Sequence, residues 1–480
     1  MESLQKMERP GMPDRARGAA QRHRRVAAWS ALAALALFHP VVEAAEPLPA
    51  PGDPLSLERA VAIALENNPM VLERAADIDA ARFAGRQARA SRLPALTFRQ
   101  VVVRTTAPAD VFGLTMMQER FSMAEFADPA SNPNAPEAFD DFASEFALGV
   151  PLYTGGKLSA GIRQADQMRR AAEAATGFSR YTVALYAAEA YEGALLASAY
   201  AELAVRARET TARHAASARD FYDAGMIVES DLLQAQVHLA KMDEQVITAA
   251  NAAQTARAGL NRVLGIDGGS VFTLEDTGQP ADTSLPALAE AIERGLRERQ
   301  DLAAQRAQAE AARQETRAAF GGFLPEVGAS ASWVAHDDKL FGGHGQSTTL
   351  AMQLRWNIWD WGQTHAGVQR SRASHRAAQE RTRAAEQKAE FEIRSARHSV
   401  EEALARMEAA RRGVASAERA LAILEDRFAQ GVARMTELLD AETAAHDARV
   451  RELNVRFDLS RAVRALLYAM GQNPVPEVQS

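Results

Sequence analysis

Hydrophobic residues along the chain keep two periods, and the change from one to the other comes twice. From Leu232 the apolar positions Leu232, Leu239, Val246, Ala253 and Leu260 recur every seventh place, with Ala235, Met242, Ala249, Ala256 and Val263 three residues later. Sustained for nearly five heptads, this a/d seam predicts a coiled-coil helix whose alanines let a partner come close. Lys157 to Asp223 and Gln363 to Ala429 are each 67 residues long (223 − 157 + 1; 429 − 363 + 1) and contain no proline. As helices rising 1.5 Å per residue they would each run roughly 100 Å. Gly225 and Gly431 are placed to end them, and Ser230-Asp231 and Thr436-Glu437 are expected to cap returning helices. Two long helical hairpins with tight tips are predicted, over residues 157–265 and 363–471.

Ahead of each long helix the period becomes two. Leu350, Met352, Leu354, Trp356 and Ile358 alternate with Ala351, Gln353, Arg355 and Asn357, giving one apolar and one wet face. Val327, Ala329, Ala331 and Trp333 do the same against Ser330 and Ser332, and Leu96 to Val103 and Phe146 to Tyr153 are their counterparts. Four strands are expected, near 94–105, 146–154, 326–336 and 348–360, each close to the ~9 to 11 residues that cross an outer membrane. Tyr153, Trp333, Trp356, Trp359 and Trp361 stand near strand ends, as an interfacial girdle requires. Four strands cannot close a barrel, and lipid tolerates no open sheet edge, so several chains must combine. Three chains would bring twelve strands (3 × 4), enough for a hollow barrel.

The two halves are copies. Leu65 and Leu93-Pro94 match Leu296 and Leu324-Pro325 at one offset (296 − 65 = 231). Pro151 to Gly156 matches Asn357 to Gly362, Gly225 matches Gly431, and Leu264-Gly265 matches Met470-Gly471 at another (362 − 156 = 206). Repeats are assigned to 45–283 and 284–480, and the first holds an insertion of 25 residues (231 − 206). That insertion, within 106–145, carries Asp110, Glu119, Glu125, Asp128, Glu137, Asp140, Asp141 and Glu145 against the single Arg120, with Pro108, Pro129, Pro133 and Pro136 breaking regular structure. With His336 to Ser347 it is expected to lie outside the cell, as a solvated loop, a cation attractor or a partial lid, ordered in part by Phe112, Phe121, Phe126 and Phe139.

Composition sets the compartment. Arg22, Arg24 and Arg25 precede an apolar run from Val26 to Phe38, and Val42-Glu43-Ala44 offers a cleavage site, so residues 1–44 are expected to be an export signal, with Met7 and Met12 as alternative starts. No other stretch is long and apolar enough for a spanning helix. Cysteine is absent, which removes both disulfides and a lipid-bearing thiol. The net charge of −7 argues against nucleic acid as a partner.

On the paired Leu-Pro strand entries, the Pro151-Leu152-Tyr153-Thr154-Gly155-Gly156 turn and the tip glycines followed by Asp231-Leu232-Leu233-Gln234-Ala235 and Glu437-Leu438-Leu439-Asp440-Ala441, the chain resembles the TolC family of outer-membrane efflux proteins. The resemblance covers essentially the whole chain after the signal. It implies a mainly α fold with a transmembrane β part: a homotrimer in which a twelve-stranded barrel in outer-membrane lipid continues into a tunnel of helices through the periplasm. It implies a passive exit duct for small molecules in a tripartite system, with a periplasmic adaptor and an inner-membrane pump of the RND or ABC type as partners. In such proteins a carboxylate ring after the second tip glycine constricts the mouth; the matching positions are Glu437 and Asp440, three apart on one helix face. Acids in a first helical turn also simply complement the helix dipole. The linkage of the closed mouth maps to Asp231, to Phe428 where the family has tyrosine, and to Ala433 where it has arginine, with Arg434 one residue on. Either Arg434 takes over the ion pair or the mouth is held more loosely. The tips Gly225-Met226-Ile227 and Gly431-Val432-Ala433 resemble adaptor-docking surfaces, although Met226 and Ile227 could instead fold back on the helix end.

Catalysis finds no support: no histidine spacing suits a metal, and Gly155-Gly156-Lys157-Leu158 lacks a phosphate-loop frame, so neither cofactor nor metal is expected. Type I protein secretion is the alternative use of the same framework. A periplasmic coiled-coil spacer explains the heptads but not the amphipathic strands.

Overall fold

The computed structural model describes residues 52–126, 132–276 and 285–475. The expected export signal lies outside the described residues, as do Asp128 and Pro129 of the insertion. After a two-residue strand β1 (Pro54–Leu55), helices α1 (Leu57–Asn67) and α2 (Pro69–Ala90) lead into β2 (Ala95–Thr105). Short helices α3 (Pro108–Met117) and α4 (Met123–Phe126) precede β3 (Phe139–Thr154), and the chain continues as α5 (Lys157–Asp223), α6 (Glu229–Leu264) and β4 (Thr273–Leu274), which pairs in parallel with β1. The order then repeats as α7 (Leu288–Glu298), α8 (Gln300–Phe320), β5 (Glu326–Asp337), β6 (Gly345–Arg355), α9 (Gln363–Ala429) and α10 (Met435–Ala469).

Local chemistry explains the boundaries. Ser56 accepts the N–H of Arg59 at 3.2 Å and Asn68 that of Met70 at 2.9 Å, capping α1 and α2. Each 67-residue helix begins after a left-handed glycine, Gly156 or Gly362. Gly155 is required for space as well: with φ +61, a β-carbon there would lie 2.5 Å from the Gly321 carbonyl oxygen. The heptad seam of α6 turns inward, with Leu232, Ala235, Met242, Ala253, Leu260 and Leu264 buried. Helices α5 and α6 pack as one hairpin and α9 and α10 as the other, while α2 and α8 both pack along α5. Among the described residues no helix is long and apolar enough to cross a membrane.

Several boundaries differ from expectation. Strand β3 starts at Phe139, seven residues before 146, because the outer part of β2 pairs with it from Thr105. Strand β6 stops at Arg355, short of residue 360, so Trp356 and Ile358 are not strand residues: Asp360 accepts N–H bonds from Gly362 and Thr364, closing a turn in which Trp361 takes φ +54. The returning helices are capped at Val228 and Arg434, not at Ser230 and Thr436. At the second tip the cap is made backwards, the Glu437 carboxylate accepting the N–H of Arg434 at 3.1 Å.

The strands form one antiparallel sheet in the order β2-β3-β5-β6. Its register sorts most side chains by polarity, with Val101, Val103 and Val334 as apolar residues on the otherwise polar face. Residues directly opposite share a face, so Leu96, Phe98 and Val102 line up with Phe142, Phe146, Leu148, Ala331, Trp333, Leu350, Met352 and Leu354. The other face carries Arg99, Glu145, Asp141, Ser330, Ser332, His336, Thr349, Gln353 and Arg355, and Arg99 and Glu145 approach to 3.6 Å across it. Polar residues on the apolar face include Gln100, bonded to Ser144 at 2.6 Å, and, toward the outer rim, Arg104, Asp140 and Asp337. Strands β2 and β6 leave two open edges.

Candidate functional site

The far end of the hairpins is a small core of its own. Phe428 stacks on Phe221 with ring centroids 5.4 Å apart, and around them pack Ala218, Leu232, Leu421, Met435 and Leu438. This core joins the two hairpins, so the tips move together only as far as it allows. Phe428 is therefore a buried packing residue, where the sequence reading set it among the linkage groups. Asp231 and Arg434 form no ion pair with each other or with another group of the chain among the described residues. At the tips, Met226 (59 % exposed) and Val432 (63 % exposed) project into solvent, while Ile227 and Ala433 turn inward onto the core. The Met226 methyl lies 3.6 Å from where a β-carbon on Gly431 would stand, so the two tips adjoin. Val228 is exposed beside them and belongs to the same apolar patch, a residue the sequence reading missed.

Helix α10 rises from this patch with two faces. Met435 and Leu438 are buried while Glu437 and Asp440 are exposed, which follows from 3.6 residues per turn. Glu437 is partly engaged by the cap at Arg434, and Asp440 has no ion pair among the described residues. Both acids stand on the exposed side of α10.

Above the tips lies a polar knot with no counterpart in the sequence reading. Glu442 is buried in the seam of α10; it accepts from the Thr211 hydroxyl and meets His214 Nδ1 at 3.0 Å, while His214 Nε2 is 3.3 Å from Glu425. Burial pushes the Glu442 carboxyl up, yet the bonds from His214 and Thr211 outweigh it and hold it below the usual carboxylate range. His238 and His446 are pushed down by burial. Further along the same interface Glu192, fully buried, accepts from Ser460 and, at 2.8 Å, from Arg464. The signal for Glu442 was present: it stands in a seam with Met435, Leu438 and Ala445, where a charge is out of place unless it is paired.

Together these features describe a class: an amphipathic sheet with open edges, made for lipid, carried on helical hairpins of about 100 Å. Solved outer-membrane channels share the fold. The Campylobacter jejuni CmeC outer membrane channel is 17 % identical over 88 % of this chain and 87 % of its own, with a TM-score of 0.73. The Vibrio cholerae outer membrane protein VceC is 20 % identical over 87 % and 97 %, with a TM-score of 0.71. The open state of the Neisseria gonorrhoeae MtrE outer membrane channel is 18 % identical over 92 % and 98 %, with a TM-score of 0.70. No curated protein matches in sequence. The family of outer membrane efflux proteins is matched over residues 60–266 and 291–472, one stretch in each repeat, and the chain belongs to that family. It is an efflux channel of the Gram-negative outer membrane that reaches into the periplasm, a passive conduit and not an enzyme.

Proposed function

We propose that three copies close into one tunnel, β6 of each pairing with β2 of the next, so that twelve strands (3 × 4) form the barrel and the hairpins form the periplasmic duct. The sheet carries this reading: its two unpaired edges cannot face lipid, and its polar face needs water on the inside. Leu233, Val237 and Ile247 form an exposed apolar stripe on α6, which supports side-by-side packing of hairpins from neighbouring copies. Glu437 and Asp440 then supply six carboxylates (3 × 2) at the periplasmic mouth, a ring that favours cations and binds divalent ones. Asp231 and Arg434, with no ion pair among the described residues, are free to link across copies and hold that mouth shut. Met226, Val228 and Val432 form the apolar tip that a periplasmic adaptor engages, and an inner-membrane pump of the RND or ABC type drives small molecules into the duct.

Single-channel recording of the purified protein in planar bilayers tests the mouth. The parent is expected to pass a small, cation-preferring current blocked by divalent cations, and Glu437→Ala/Asp440→Ala to lose both the preference and the block. Unchanged selectivity in the double variant would remove these acids from the gate.

A further inference from the structure

The insertion between β2 and β3 has so far no role, and the two faces of the sheet decide where it sits. Gln118, with no exposed surface, donates to the Asp140 carbonyl at 3.0 Å and to the Asp141 carboxylate at 2.9 Å. The other oxygen of Asp141 meets His336 Nδ1 at 2.9 Å. Asp141 and His336 both belong to the polar face. Gly345, opposite His336 in the register, lies on that face too, and a β-carbon there would run into the Met117 carbonyl oxygen. The insertion therefore leaves β2 at one edge, crosses the polar face at its outer rim and reaches β6 at the other edge, where α3 packs. Arg120, 3.3 Å from Asp338, ties down its far side.

Helix α3 is oriented by the same contact. Val111, Leu114, Thr115 and Gln118, spaced i, i+3, i+4 and i+7, are partly or fully buried, as is Gly113. Phe112 and Met116 occupy the opposite side and are exposed. Phe112 is gathered with Phe121 and Phe126, rings 5.4 to 5.9 Å apart, so the insertion carries its own small apolar centre. Met116 is left facing away from the wall.

We propose that helix α3, held on the polar face of the sheet by Gln118, forms a second constriction inside the exit of the pore, with Met116 on its lining. The proposal rests on the closed-barrel reading, in which the polar face of the sheet lines the lumen. A helix with side chains is about 10 Å across, and three of them laid against the inner wall narrow the outlet that the strands alone would leave wide. The outlet is then a filter in series with the periplasmic mouth.

The chain has no cysteine, so Met116→Cys carries a unique thiol. Its conductance in planar bilayers is compared before and after a bulky maleimide polyethylene glycol is added on the exit side, with Val102→Cys on the apolar face as control. Labelled Met116→Cys is expected to lose conductance by about twofold or more while labelled Val102→Cys does not. Conductance unchanged after complete labelling, scored by gel shift, would overturn the constriction, whereas current from the unlabelled variant reports separately on the channel itself. In a second arm, a short bismaleimide is added to intact cells. Joined copies at Met116→Cys support insertions that converge over the outlet; full labelling without joined copies counts against them even if no current is recorded.

Discussion

Glu192 shows what a single buried charge does in this molecule. Its carboxylate is taken up by Arg464 and Ser460 across the interface of α5 and α10, so removing it leaves a largely buried guanidinium without its counter-charge. Glu192→Ala is expected to cost about 3 to 5 kcal/mol in denaturant unfolding, whereas Glu192→Leu with Arg464→Met should be near neutral, because two apolar side chains avoid the desolvation of the pair. A loss below about 1 kcal/mol for the single variant would mean that water reaches the site. None of this was visible along the chain: Glu192 falls in an unremarkable stretch of α5, and its partner Arg464 is 272 residues away.

At the scale of elements, the seam between the two hairpins is pH-dependent, and the sign follows from the direction of each shift. Glu442 is held low, so its contribution is present above the ordinary carboxylate range and is lost as pH falls through its lowered value. His238 and His446 are also held low, so theirs is complete above the ordinary histidine range near 6.5 and declines as pH falls below it. Lys241 on α6 and Asp447 and Arg449 on α10 face the same groups and modulate them. All three shifts act in one direction: acid loosens the hairpins above the tips. Amide protection factors, which allow for the intrinsic slowing of exchange at lower pH, should fall between pH 7 and pH 4 more in residues 211–225 and 435–446 than in the core around Tyr191. An equal fall in both regions would argue against a local cause. The elements themselves were largely legible, since proline-free runs and left-handed glycines act within a few residues. Strand ends were read less well, because where β3 begins and β6 stops depends on pairing with other strands and on the Asp360 turn.

For the whole molecule, the proposed closure of three copies governs what the exposed surfaces do. A single chain exposes two sheet edges and the α6 stripe, and on that reading each meets another copy. Val237 is 71 % exposed and lies outside the hairpin's own core. Val237→Asp should leave the helical content of the chain unchanged while shifting it from trimer to monomer in detergent, as read by light scattering after size exclusion. A variant that remains trimeric would place the copy-to-copy contact elsewhere.

By itself the sequence determined the heptad seam of α6, the proline-free length of α5 and α9, the duplication, the alternating strands and the spacing that puts Glu437 and Asp440 on one helix face. These are properties of neighbours in the chain, and backbone geometry converts spacing into faces without help. Only the tertiary structure decided that Phe428 packs in the tip core, that Glu442 and His214 meet between hairpins, and that Gln118 draws the insertion onto the polar face of the sheet. Each of those joins residues far apart in sequence, where burial and hydrogen bonding select a partner that no local pattern specifies.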